Sequence, residues 1–121
     1  MKICWCTIHV SNLEESKKFY GEILGLKLAK SFNPHPGVTI VFFEGDDGAE
    51  IELIADGNEN APDAAGNISI GFAVPNLEAM VQKMQENQIE ILRGPLTLGK
   101  DTYCFFVKDP NDIEIQIVEE K

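Results

Sequence analysis

Apolar and polar residues alternate from Ile3 to Val10, a stretch rich in β-branched and aromatic side chains, and that period predicts a strand. The period then changes. Leu13, Ser16, Phe19, Tyr20, Ile23 and Leu24 fall on one helical stripe closed by Gly25, with Ser11 or Asn12 as N-cap and Ser11 with Glu14 as a capping box. Period-two patterns return at Leu26 to Lys30, Val38 to Phe43 and Ala49 to Ile54. Between them lie Asn33-Pro34-His35-Pro36-Gly37 and Gly45-Asp46-Asp47-Gly48, both of turn composition. The same series then runs again. It comprises a strand from Ile68 to Val74, a helix on Leu77, Met80, Val81 and Met84, and strands near Ile89 to Leu92, Thr102 to Val107 and Ile113 to Val118.

The second run copies the first at a fixed offset of 64 residues. Val10-Ser11-Asn12-Leu13-Glu14 returns as Val74-Pro75-Asn76-Leu77-Glu78, and Glu50-Ile51-Glu52-Leu53-Ile54 returns as Glu114-Ile115-Gln116-Ile117-Val118. A repeat of this kind makes both halves share one supersecondary unit and marks equivalent positions. Each unit reads β-α-β-β-β, covering about 1–57 and 65–121, with the Asp-, Asn- and Gly-rich stretch from Ala55 to Asn67 as linker. A ferredoxin-like duplication is the competing reading, but it uses only β-α-β per copy and leaves one strand pattern in each half unexplained.

Composition narrows the partners. The chain has 121 residues, enough for an ordinary core, and a formal charge of −10 that repels nucleic acid and anionic membranes. Neutral or cationic small molecules fit that field. No leader pattern and no apolar run of about 20 residues is present, so the expectation is a cytoplasmic protein. Cys4, Cys6 and Cys104 are odd in number and lack CxxC spacing, so they read as small buried hydrophobes rather than a disulfide framework. His35 reads as a solvated loop residue and Glu119-Glu120-Lys121 as an exposed tail.

Val10-Ser11-Asn12-Leu13-Glu14, then Ser16, Phe19-Tyr20 and Leu24-Gly25-Leu26, resembles the first module of the vicinal oxygen chelate superfamily. That group includes glyoxalase I, bleomycin-resistance proteins and extradiol dioxygenases. Ile51-Glu52-Leu53, Phe106-Val107-Lys108-Asp109-Pro110-Asn111 and Ile115-Gln116-Ile117 match its other recurrent segments, so the resemblance spans nearly the whole chain. It implies a single α+β domain in which two β-α-β-β-β modules form a curved mixed sheet around a cleft, helices outside. Homodimers are common in the group, and a homodimer is expected here.

Strand alternation selects the residues of that cleft. Cys4, Cys6, Ile8 and Val10 would pack under the helix, leaving Trp5, Thr7 and His9 on the other face. By the same parity Glu50, Glu52 and Ile54 join them, and the second copy offers Ser69, Gly71, Ala73, Glu114, Gln116 and Val118. Glyoxalase I-like members, as the resemblance implies, bind a divalent ion at four positions held here by Trp5, Glu52, Ser69 and Gln116. Only Glu52 is a good ligand. An indole donates no lone pair to a metal, Ser and Gln are weak neutral donors, and Gln is no general base. The expectation is therefore no cofactor and no metal ligands, with a divalent ion disfavoured.

Two function classes follow. In the first, resembling the bleomycin-resistance branch, the chain binds an aromatic or cationic ligand in an acidic cleft with Trp5, Thr7, Ser69, Glu114 and Gln116 as ligand contacts. In the second it is a glyoxalase-like lyase or isomerase of the lactoylglutathione-lyase type, with Glu52 and His9 as catalytic acid and base on a carbonyl substrate.

Overall fold

The computed structural model describes residues 3–57 and 68–120, so most of the expected linker lies outside the described residues. The chain divides into two compact units, Met1–Pro62 and Asp63–Lys121. The first runs β1 (Trp5–His9), α1 (Leu13–Lys17) continued by a π-helical stretch Lys18–Ile23, β2 (Lys27–Phe32), β3 (Thr39–Glu44) and β4 (Glu50–Ala55). The second runs β5 (Ser69–Val74), α2 (Leu77–Glu86), β6 (Arg93–Leu98), β7 (Thr102–Lys108) and β8 (Glu114–Glu119). Each is a β-α-β-β-β module with a four-stranded sheet, ordered β1-β4-β3-β2 and β5-β8-β7-β6. In each, the first strand is parallel to the last and the other pairs are antiparallel, giving the expected mixed sheets. Three strands follow each helix, which removes the ferredoxin-like alternative.

One face of each sheet carries the module's core. Ile8, Val10, Val41, Phe43, Ile51 and Leu53 are buried with Phe19, Tyr20 and Ile23 of the helix. Ile115, Ile117, Phe105 and Val107 are fully buried in the second module, with Leu77 and Met84. A fully buried side chain such as Leu53 contributes about 2–3 kcal/mol through removal from water. Gly21 lets the helix approach the sheet closely, since a Cβ there would lie 2.9 Å from Phe43 Cε1. Among the described residues, no helix is long and apolar enough to cross a membrane.

The repeat extends to hydrogen bonds. Asn12 Oδ1 accepts from Glu15 N at 3.1 Å, and the equivalent Asn76 Oδ1 accepts from Ala79 N at 3.1 Å. Asn12, not a Ser11-Glu14 capping box, is thus the N-cap, because the chain turns helical one residue later than that box requires. The turns match too. Gly45 N donates to Ala49 O as Asp109 N donates to Ile113 O, and positive φ falls at Gly48 and Asp112 alike.

Three expectations need correction. The strand placed near Ile89 to Leu92 is Arg93–Leu98. Ile89 N instead donates to Met84 O beyond a positive-φ Gln88, so these apolar residues close the helix before the strand begins. Pro95 inside that strand is tolerated because β6 is an edge strand. Cys4 is exposed, lying ahead of β1, whereas Cys104 is buried. Glu119 belongs to β8 rather than a tail, and its Oε2 accepts from Leu77 N at 3.0 Å, adding a carboxylate to the start of α2.

Candidate functional site

On the first sheet, the face opposite the helix is built in register rows. Thr7 pairs with Glu52, Glu52 with Phe42 and Phe42 with Lys30, so these four form one row across β1, β4, β3 and β2. Side chains follow the row. Thr7 Oγ1 donates to Glu52 Oε1 at 2.6 Å, a charge-assisted bond that fixes the carboxylate and leaves its other oxygen for a further donor. Lys30 Nζ stands 4.5 Å from the centre of the Phe42 ring. Trp5, one step along β1, meets Phe42 edge to face at 5.8 Å between centroids and is 52% exposed. His9 pairs with Ile54 in the next row and is exposed. Trp5, Thr7, His9 and Glu52 therefore share a face, as alternation predicts.

The second sheet repeats the row as Gly71, Gln116, Phe106 and Arg93. Arg93 lies 4.0 Å above Phe106, and its Nη2 pairs with Glu114 Oε1 at 2.7 Å. Ser69 pairs in register with Glu114 and is exposed, while Gln116 is half-buried. Ser69, Glu114 and Gln116 thus share the equivalent face of the second module, with Glu114 already engaged by Arg93.

Aromatic residues sort by parity. Phe42 and Phe106 lie in these rows, each buried beneath its neighbours, whereas Phe43, Phe105 and Tyr103 have the opposite parity. Tyr103 OH donates to Glu78 Oε1 of α2 at 2.6 Å. That bond, then desolvation and the charges of Glu78 and Glu119, raise the phenol above its ordinary value of 10.0. Sequence reading missed Lys30 and Arg93. Their signal was available only through pairing: each stands directly across from the equivalent Phe42 or Phe106, at offsets that differ by one because β2 and β6 carry irregular register.

The sequence model of the Glyoxalase/Bleomycin resistance protein/Dioxygenase superfamily matches residues 2–117. A lactoylglutathione lyase of Haemophilus influenzae is 33% identical, covering 100% of this chain and 94% of that protein. One from Escherichia coli O157:H7 is 29% identical with the same coverage. Among solved structures, the trypanothione-dependent glyoxalase I of Leishmania major superposes with a TM-score of 0.82 at 23% identity, over 99% of this chain and 87% of that one. A glyoxalase family protein from Bacillus cereus gives 0.84 at 19% identity, over 99% and 94%. These two likenesses concern the fold.

The relatives correct the expectation of no cofactor: lactoylglutathione lyases are metal-dependent enzymes, so a divalent ion is what the family implies. The donors at the four corresponding positions do not fit that ion. Trp5 stands exposed with no lone pair to give, Ser69 and Gln116 are neutral, and Glu52 is the one carboxylate among them. Among the described residues no three His, Cys, Asp or Glu side chains converge to hold a metal.

Proposed function

Since the chain belongs to the Glyoxalase/Bleomycin resistance protein/Dioxygenase superfamily, we propose that it binds a small aromatic molecule, with the open face of the first module as its principal contact surface. Trp5 carries this reading. A half-exposed indole, propped edge-on by Phe42 at the position of a family metal ligand, offers a flat apolar surface with one N–H donor. Thr7 and Glu52 beside it supply a fixed acceptor for a ligand N–H or O–H, including a cationic one. Ser69, Gln116 and Glu114, the last engaged by Arg93, occupy the equivalent face of the second module.

The test uses Trp5 as its own reporter, because it is the only tryptophan. Titration with a panel of neutral and cationic aromatic compounds should quench its fluorescence saturably, and Trp5→Ala should abolish binding measured by calorimetry. Absence of saturable quenching across the panel would overturn the reading.

Whole-chain similarity to lactoylglutathione lyases favours a second reading, a glyoxalase-like lyase in which Glu52 moves a proton on a carbonyl substrate and His9 assists. It is checked with the glutathione hemithioacetal of methylglyoxal, Ni²⁺ and Zn²⁺ supplied in separate assays. Turnover lost in Glu52→Gln would establish this reading in place of simple binding. A homodimer is also proposed, supported by exposed Leu28 and Leu98 on the edge strands β2 and β6. Analytical ultracentrifugation returning only the 13.4 kDa monomer at micromolar concentration would count against it.

A further inference from the structure

Comparing equivalent rows of the two modules isolates one side chain. Arg93 and Lys30 each stand across from the repeated phenylalanine and each covers its ring, at 4.0 Å over Phe106 and 4.5 Å over Phe42. Arg93 is neutralised by Glu114 at 2.7 Å. The residue equivalent to Glu114 is Glu50, yet no Asp or Glu among the described residues lies within ion-pair distance of Lys30 Nζ. Glu44, on the same strand as Phe42, is paired with Lys27 at 3.8 Å. Lys30 is therefore a cation held in place by an aromatic face, with Phe32 a further 6.0 Å contact, and with its ammonium donors unspent on any carboxylate.

We infer that Lys30 is the anion-binding group of this face, and that the ligand is an aromatic molecule bearing a carboxylate or a comparable anionic group. The inference rests on the reading of the Trp5 face as a ligand surface. The Trp5 ring centre and Lys30 Nζ lie 5.8 Å and 4.5 Å from the centre of the same Phe42 ring, close enough for one aromatic acid to span both. Lys30 and Glu52 lie two strands apart in one row, roughly 10 Å at ordinary strand spacing, so one ligand can offer an anion to the first and a hydrogen-bond donor to the second. The net charge of −10 works against every anion, so a preference for acids has to come from a local cation.

The experiment follows the single Trp5 indole N–H resonance of ¹⁵N-labelled full-length protein at low ionic strength. The probes are matched acid and amide pairs: benzoate and benzamide, 1-naphthylacetate and 1-naphthylacetamide, indole-3-acetate and indole-3-acetamide. In the unaltered protein at least one acid should bind about tenfold more tightly than its amide, the scale of one charge-assisted hydrogen bond. Lys30→Met, which keeps the apolar stem on Phe42, should erase that difference, and Lys30→Arg should retain it. Equal affinity for acid and amide, or a preference that survives in Lys30→Met, overturns the role of Lys30 while leaving the face as a ligand surface. If no probe moves the Trp5 resonance, the ligand surface itself is refuted and the Lys30 inference falls with it.

Discussion

Replacing Asp109 with alanine should destabilise the protein several times more than replacing Asp47 in the equivalent turn of the first module. Asp109 is 4% exposed, and its Oδ1 accepts from the backbone N–H groups of Asn111 and Ile113, both at 2.8 Å. Its Oδ2 accepts from Asn111 Nδ2 at 3.0 Å. Asn111 and Ile113 are themselves buried, so Asp109→Ala strands two main-chain donors and one amide where water has little access. At about 1–3 kcal/mol for each orphaned buried donor, with partial relaxation of the turn, the expected loss is about 3–5 kcal/mol. The repeat supplies the control. Asp47, in the equivalent turn, accepts only Ala49 N at 3.1 Å in an exposed setting, so Asp47→Ala should cost about 0.5–1 kcal/mol. Urea unfolding followed by circular dichroism measures both, with unchanged m-values required for the comparison. A loss below about 1 kcal/mol for Asp109→Ala, or equal losses for the two variants, would refute the claim that this carboxylate holds the β7–β8 turn.

Gly94 has φ 93 and a Cβ there would lie 2.8 Å from Cys104 O, so Gly94→Ala should cost about 3 kcal/mol in the same unfolding assay, against about 1 kcal/mol for Gly48→Ala, where nothing lies within 4 Å. Asn12→Ala and Asn76→Ala each remove one helix cap and should each cost about 1 kcal/mol in that assay. Tyr103 should ionise above 10.0, and Glu78→Gln should lower that value in an ultraviolet pH titration. Because the folded pKa exceeds the unfolded one, this bond's contribution is complete below pH 10 and lost as the pH climbs through the folded value; stability unchanged by Glu78→Gln across that window would refute it.

The order of elements and the faces of β1, β4, β5 and β8 were legible in the sequence because strand parity and a gapless repeat act over short range. Asn12 was legible only as one of two caps, since Ser11 and Asn12 carry equally suitable side chains and the deciding quantity is where helical dihedrals begin. The strand after α2 was misplaced because Ile89, Ile91 and Leu92 mimic a strand in composition, while Pro95 and Gly94 disguise the real one. Lys30 was invisible for a different reason. Its role depends on lying across from Phe42, and β2 carries a register irregularity between Leu28 and Lys30 that no count along the chain could supply.

Duplication also supplies an internal reference for the site, which a single module would lack. Both modules place a cation over the equivalent phenylalanine, so the differences between them carry the information. Glu114 reaches Arg93 partly because a guanidinium can cover a ring and present a planar fork to a carboxylate at once, which an ammonium does poorly. In the first module the cation is a lysine and the row ends in Thr7 bonded to Glu52, where the second has Gly71 and the neutral Gln116. Exposed aromatic surface thus belongs to the first module through Trp5, whereas the second module pairs its cation with Glu114. A reciprocal exchange checks this logic directly: Glu114→Gln should free Arg93 and create weak acid-over-amide preference in the second module, seen by calorimetry in the Lys30→Met background. If Glu114→Gln adds no acid binding there, a free cation over phenylalanine is insufficient, and Trp5 rather than Lys30 dominates recognition.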